Sequence, residues 1–322
     1  MSKPKIAIAW NSSCGGCDES IVDLEAKILD IAAKVEFVLW PCAMDFKYDD
    51  VEKLKDREIT VSLISGGIQN THQKKVVELL RRKSQLIIAF GSCAYMGGVP
   101  SLANLKNMDE IFNSSFIDCP SVVNPEKIIP QTEYVVYDIK LTLPEIFKTL
   151  YKLDDIIDTD YYLPGCPPTA AMIAGALEVI LSGDLPPKKT VIAPDKALCA
   201  SCDRNKSKPE DIAIKEIKRI HEIIADPDTC FLAQGVICMG PATRDGCDYP
   251  CIKGNMPCTG CLGPVLEADQ GAKMIGTLGG IIDGETKESV EKILDGIADP
   301  AGTFYRYCVS DSLLGKERKE EG

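Results

Sequence analysis

This 322-residue sequence predicts an α/β fold, a doubly wound parallel sheet covered by helices, followed by a loop-rich second domain. Three observations carry that prediction. Through about residue 185, short apolar runs alternate with amphipathic stretches, the signature of strand–helix crossovers. Several strand-like runs end in glycine-containing turns that carry cysteines. After Leu185-Pro186-Pro187 the apolar content thins, and eight cysteines crowd into loops rich in Gly, Pro and Asp between residues 195 and 265.

The elements follow in order. Ile6 to Trp10 reads as a first strand, closed by the turn Ser12-Ser13-Cys14-Gly15-Gly16-Cys17. Ile21, Leu24, Ile28 and Ile31 then recur at spacings of three and four, so one helix face is buried. Glu36 to Trp40 is the second strand, and Ile59 to Ser65, closed by Gly66-Gly67, the third. A helix over Thr71 to Lys83 leads to the strand Leu86 to Phe90, ended by Gly91. Tyr134 to Tyr137 is the expected fifth strand. A helix begins near Thr169, just after Pro167-Pro168, and stops at Gly183. Further expected helices span about Pro209 to Ile224 and Val290 to Ile297. The segment 195–265 holds too little apolar material for a conventional core, so bound metal is expected to shape it. The charged run Lys316 to Glu321 reads as a solvated end. The expected domains are residues 1–187 and 188–322.

Composition narrows the functional classes. Lys and Arg total 36 against 48 Asp and Glu, a net charge of −12, which argues against nucleic acid or an anionic membrane as the main partner. No apolar run approaches the length of a membrane span. MSKPKIAIAW leads straight into a strand without an export signal, which predicts a cytoplasmic chain. Fifteen cysteines in a reducing compartment point to metal or redox chemistry rather than disulfides.

Ligands of a parallel sheet gather beyond the carboxyl ends of its strands. Cys14 and Cys17 follow the first strand, Cys93 follows Leu86 to Phe90, and Cys166 lies in a comparable turn, so all four are expected on one edge. Four thiolates suit a 4Fe–4S cluster, and neighbouring glycines let backbone N–H groups approach its sulfurs. Structural zinc usually draws cysteines as two local knuckles rather than from three separate turns. A second set is Cys199, Cys202, Cys230 and Cys238, and a third is Cys247, Cys251, Cys258 and Cys261. These suffice for two more four-iron clusters, and their pairs lie farther apart than those of a zinc ribbon. Spacing alone leaves open which of Cys238 and Cys247 belongs to which set.

The motifs Cys14-Gly15-Gly16-Cys17, Gly91-Ser92-Cys93 with Gly97-Gly98, and Pro164-Gly165-Cys166-Pro167-Pro168 resemble those of nickel–iron hydrogenase small subunits. The resemblance continues through Cys230-Phe231-Leu232, Cys238-Met239-Gly240-Pro241 and Pro257-Cys258-Thr259-Gly260-Cys261. It implies a flavodoxin-like first domain holding a proximal cluster on Cys14, Cys17, Cys93 and Cys166. It implies a medial cluster on Cys247, Cys251, Cys258 and Cys261, and a distal one on Cys199, Cys202, Cys230 and Cys238. The nickel–iron centre would sit in a separate large subunit. Leu39-Trp40-Pro41 and Ala89-Phe90-Gly91-Ser92-Cys93 look most like the cytoplasmic, methyl-viologen-reducing branch. Its partners would include an electron-accepting iron–sulfur subunit and a heterodisulfide reductase complex.

Two departures from the membrane-associated and periplasmic members are informative. Cys199 stands where they use histidine on the distal cluster, and Cys251 where they commonly have proline beside a three-iron medial cluster. Thiolate donates more strongly than imidazole, so both changes predict lower potentials. Glu19 corresponds to an acidic residue near the family's subunit interface. A proton-transfer role stands there against a plain first-turn glutamate favoured by the helix dipole. Cys42, Cys119 and Cys308 read as packing residues, and His72 and His221 as cap or surface residues, His221 within the expected helix. The alternatives are a quinone-linked relative sharing the sheet domain, a deazaflavin-reducing hydrogenase small subunit, and a zinc-stabilised scaffold.

Overall fold

A computed structural model describes residues 3–266 and 268–315; the charged run 316–321 lies outside them. Strand β1 (Lys5–Trp10) leads through the Cys14 turn into α1 (Gly16–Val22) and α2 (Lys27–Lys34). Next come β2 (Glu36–Leu39), α3 (Tyr48–Lys53), β3 (Ile59–Ser65), the short β4 (Ile68–Asn70) and α4 (Thr71–Lys83). β5 (Ser84–Phe90) runs into the single turn α5 (Ser92–Met96). After α6 (Met108–Phe112) come β6 (Glu133–Val136), β7 (Ile139–Thr142), β8 (Ile146–Tyr151), β9 (Tyr161–Leu163) and α7 (Ala170–Ser182).

The central sheet is wholly parallel, in the order β2-β1-β3-β5-β9. Counting only its own strands, this is the order 2-1-3-4-5 of flavodoxin-like sheets, with its switch point between the first and third strands. Successive strand residues face opposite layers. Ile6, Ile8, Val61, Leu63 and Ile88 pack against α1 and α7. Ala7, Ala9, Ile64, Ile87 and Ala89 pack against Val76, Val77 and Leu80 of α4. Helix α4 has the expected bounds, and the Asn70 side chain accepts from Gln73 N to cap it. Thr169 caps α7 in the same way, and Gly183 ends it at φ +78°.

Four expectations need correction. The fifth strand is Tyr161–Leu163; Glu133–Val136 instead forms an antiparallel hairpin with β7 around Tyr137 and Asp138. Those two residues have φ values of 49° and 63°, the geometry of a tight hairpin turn. A β9 of three residues is too short to leave a pattern in the sequence. The helix carrying Ile21 to Ile31 is broken near Glu25, at φ +53°, although its apolar face packs on the sheet as expected.

The expected helix over 209–224 does not form. Its isoleucines pair outward instead: Ile214 N donates to Ile281 O at 2.7 Å, and Lys218 N to Gly235 O at 2.9 Å. Ile214 and Ile217 are buried, and only Ile220–Glu222 makes a 3-10 turn, with His221 in it. Tertiary pairing of β-branched residues outweighs a helical period here.

The last correction concerns the second half's core, which is more apolar than its cysteine-rich stretch suggests. Leu198, Phe231, Met239 and Ile252 pack with Met274, Leu278, Ile293 and Phe304. Apart from α8 (Pro250–Lys253), the helices come late: α9 (Gln270–Gly279), α10 (Lys287–Leu294) and α11 (Pro300–Phe304). Among the described residues no helix is long and apolar enough to cross a membrane.

Candidate metal centres

The carboxyl ends of β1, β5 and β9 deliver the first thiol group. Cys14 lies in the turn after β1, Cys17 in α1, Cys93 in α5, and Cys166 in the turn after β9. Two backbone bonds bring the last two turns together: Gly91 N donates to Leu163 O, and Ser92 N to Gly165 O, both at 2.8 Å. Gly91 sits at φ +83°, and a Cβ there would lie 2.3 Å from Cys17 Sγ. Only glycine allows that approach. Burial pushes the Cys17 thiol up, and negative charge on Cys93, Cys166, Asp18 and Cys14 pushes it further. Burial, with Cys166 and Cys14, pushes Cys93 up to about 12. The four sulfurs therefore lie within electrostatic reach of one another.

The second group surrounds a small hollow that Cys199, Cys202, Cys230 and Cys238 line together with Leu198, Phe231, Leu232 and Ile252. Burial is again the main cause of its raised thiols. Cys199 is pushed to about 12, helped by Cys238, Cys230 and Cys202. Cys238 is pushed to about 11, with backbone N–H groups of Gly240 and Cys258 pulling the other way.

In the third group, burial raises Cys247, and negative charge on Cys251 adds to the effect. Cys261 is raised to about 12 by burial and by Cys247, Cys166 and Cys251. Cys238 lines the hollow of the second group, and Cys247 has Cys251 as a charged neighbour.

The three groups form a row. Cys166 and Cys261 link the first group to the third, since the Cys166 backbone N–H eases the Cys261 thiol. Cys258 and Cys238 link the third to the second, with Met239 N donating to Cys258 O at 2.9 Å. Cys238, where the second group meets the third, is buried, whereas Cys14 and Cys166 are exposed at one end of the row.

The donor set fits iron–sulfur clusters better than single ions. Each group offers four cysteine sulfurs, the all-thiolate set that four-iron clusters commonly use. Because thiolates are the ligands, deprotonation has to accompany binding of a positive core.

Other singled-out residues behave differently from one another. Glu19 is exposed in the first turn of α1, beside the first group. Cys308 is buried against Met96 and Tyr307, which is plain packing. The Cys119 thiol is 3.1 Å from Ser121 Oγ. The Cys42 thiol hydrogen-bonds to Asp18. His72 meets the edge of the Tyr48 ring at 5.7 Å. Sequence reasoning missed Asp18, whose buried carboxyl accepts from Trp40 Nε1 at 3.3 Å and Ser65 Oγ at 3.2 Å. An acid after Cys17 looks like an exposed first-turn residue until the fold buries it.

Known proteins resemble this chain along nearly its whole length. Residues 14–180 match the family described as NADH ubiquinone oxidoreductase, 20 Kd subunit. The iron-sulfur subunit of the F420-non-reducing hydrogenase of Archaeoglobus profundus is 38% identical, over 97% of this chain and 98% of that protein. The chain belongs to the small-subunit family of nickel–iron hydrogenases.

The corresponding F420-non-reducing hydrogenase subunit of Methanothermobacter thermautotrophicus is 35% identical over 99% of both chains. These hydrogenase relatives span the cysteine-rich second half as well as the sheet, which sets aside the quinone-linked alternative. A solved nickel–iron–selenium hydrogenase chain from Desulfovibrio vulgaris Hildenborough shares the fold, with a TM-score of 0.53 at 16% identity over 84% of this chain and 96% of that one. As a hydrogenase small subunit the protein is an electron-transfer component carrying iron–sulfur clusters. It pairs with a large subunit, where the nickel–iron catalytic site resides.

Proposed function

We propose that this small subunit holds three 4Fe–4S clusters and carries electrons from H2 oxidation in the large subunit to a low-potential acceptor in the cytoplasm. Cys14, Cys17, Cys93 and Cys166 hold the proximal cluster. Cys247, Cys251, Cys258 and Cys261 hold the medial one, and Cys199, Cys202, Cys230 and Cys238 the distal one. The clusters supply one-electron redox chemistry; the chain fixes their positions, excludes water and donates N–H groups to sulfur. The observation that carries this reading is the row itself, in which Cys166 meets Cys261 and Cys258 meets Cys238. Residues 1–187 would form the proximal-cluster domain and 188–322 the domain of the other two.

The acceptor is proposed to be a heterodisulfide reductase complex reached through an iron–sulfur subunit, and the hydrogenase to be of the F420-non-reducing kind. Support comes from two relatives with that name and from the all-thiolate donor set of the second group, which favours low potential. Glu19, exposed beside the first group, is the proposed proton-transfer residue.

Metal and sulfide analysis of the anaerobically purified complex tests the assignment. About twelve irons per chain, after subtracting the partners' iron, are expected from three four-iron clusters. Zinc in place of iron would overturn the reading. For Glu19, the Glu19→Gln variant is expected to slow turnover and hydrogen–deuterium exchange; unchanged values for both would remove the role.

A further inference from the structure

Arg204 is two residues beyond Cys202 and lines the hollow of the second thiol group, yet it is only 6% exposed. Its acceptors are all neutral. Nη1 donates to Asp226 O at 3.1 Å and Thr229 O at 3.4 Å; Nη2 donates to Ile252 O at 3.1 Å and Asn255 Oδ1 at 2.8 Å. The guanidinium lies over the Phe231 ring, 4.3 Å from its centroid. The nearby acids are engaged elsewhere. The Asp203 carboxylate accepts from Tyr249 Oη, and that of Asp226 from Asp228 N and Thr229 N.

A guanidinium is charged at every accessible pH, and burying it without a counter-charge is costly. Here four neutral acceptors take the terminal N–H groups, and among the described residues no carboxylate forms an ion pair with Arg204. Across the hollow lie Cys199, Cys202, Cys230 and Cys238, which become thiolates when they bind a cluster. Resting on the cluster assignment above, we propose that Arg204 is the buried counter-charge of the distal cluster and a positioning residue for its redox potential. Reduction adds one negative charge to the cluster, so a fixed cation in a low-dielectric wall stabilises the reduced form. The residue thereby raises the potential of the terminal site and draws electrons toward the exit, against the lowering effect of Cys199. Lys208, which eases the Cys199 thiol, does so from an exposed position where solvent screens its charge.

The test is a redox titration of the purified complex followed by electron paramagnetic resonance, with iron and sulfide content measured on each sample. Arg204→Met is expected to shift the distal reduced-to-oxidised ratio at the wild-type midpoint about tenfold toward oxidised, which is about 59 mV for a one-electron couple. Arg204→Lys should restore most of that shift, and Lys208→Ala should move it far less. An Arg204→Met complex with full iron and an unchanged midpoint would overturn the proposal. If that variant loses its cluster, Asn255→Asp decides, because it sets a carboxylate against the retained guanidinium. A lowered midpoint supports the proposal and an unchanged one overturns it. Wild-type protein without a third cluster signal, at about eight irons, would overturn the cluster assignment itself.

Discussion

Ser92 Oγ donates a 2.6 Å hydrogen bond to the carbonyl of Cys261, a residue 169 positions away in the chain. Ser92 precedes Cys93 of the first thiol group, and Cys261 belongs to the third. One hydroxyl therefore joins the sheet edge to the cysteine-rich half at the point where electrons are proposed to cross. Ser92→Ala leaves that carbonyl without its partner and is expected to destabilise the protein by about 1–3 kcal/mol. Denaturant unfolding of the assembled complex checks the value. H2-driven viologen reduction, if it slows more than the nickel–iron site's own hydrogen–deuterium exchange, assigns the remainder to transfer between the first and third groups.

Gly91→Ala is expected to dismantle the first group selectively. Its Cβ would fall 2.3 Å from Cys17 Sγ on a backbone at φ +83°, so that the sulfur or the turn has to move. Iron should drop from about twelve to about eight per chain, with the other two cluster signals retained. Retention of all three signals would show that the turn yields more easily than its geometry implies.

Cys251→Pro tests the four-iron medial cluster. Cys251 is exposed at the start of the short α8, directly after Pro250, where a missing N–H is tolerated. The expected product contains about eleven irons, one fewer than three cubanes, and a medial cluster of higher potential. Mössbauer or electron paramagnetic resonance spectra separate three-iron from four-iron signatures; an unchanged spectrum would remove Cys251 from the ligand set.

Asp160 sets an acid limit on stability. Its carboxylate, at the amino end of β9, is 2.7 Å from Arg81 Nη1 and 2.6 Å from Lys188 Nζ, and it accepts from Ile87 N at 2.8 Å. Burial alone would raise its pKa, but the hydrogen bonds from Lys188, Arg81 and Ile87 outweigh it and hold the carboxyl below its usual range. A depressed folded pKa means that the stabilisation is present above the unfolded value of about 3.9 and is lost as pH falls through the folded one. Asp160→Asn is expected to cost about 1–3 kcal/mol at neutral pH, since it removes the charged acceptor of Arg81, Lys188 and Ile87 N while Arg81 and Lys188 keep access to solvent. The gap between wild type and variant in thermal unfolding should narrow below about pH 4.

Much of the first half could be read from the chain. Helix α4 and the strands β1, β3 and β5 follow from short apolar runs that alternate with helical stretches and end at turns, as a parallel sheet covered on both faces requires. The four cysteines of the first group were legible for the same reason: turns after parallel strands share an edge. The flavodoxin-like order and the hydrogenase family came from motif resemblance, and comparison with whole relatives secured the family. Periodicity misled where partners lay far away. Ile214 and Ile217 carry a helical spacing, but Ile214 and Lys218 pair with segments near residues 281 and 235, and β9 was too short to show a period at all.

By itself, then, the sequence determined the number and kind of donor groups, fifteen thiols with many of them in glycine- and proline-rich turns, because composition and turn chemistry are local. Only the tertiary structure decided which thiols face one another. Cys238 and Cys247 stand close together in the chain, but only Cys238 lines the hollow with Cys199, Cys202 and Cys230, and nothing in their spacing says so. Burial decided the electrostatics in the same way. Asp18 and Arg204 are ordinary charged residues in the chain, and they matter because folding removes water from around them while leaving their charge or hydrogen bonds to be met by distant partners.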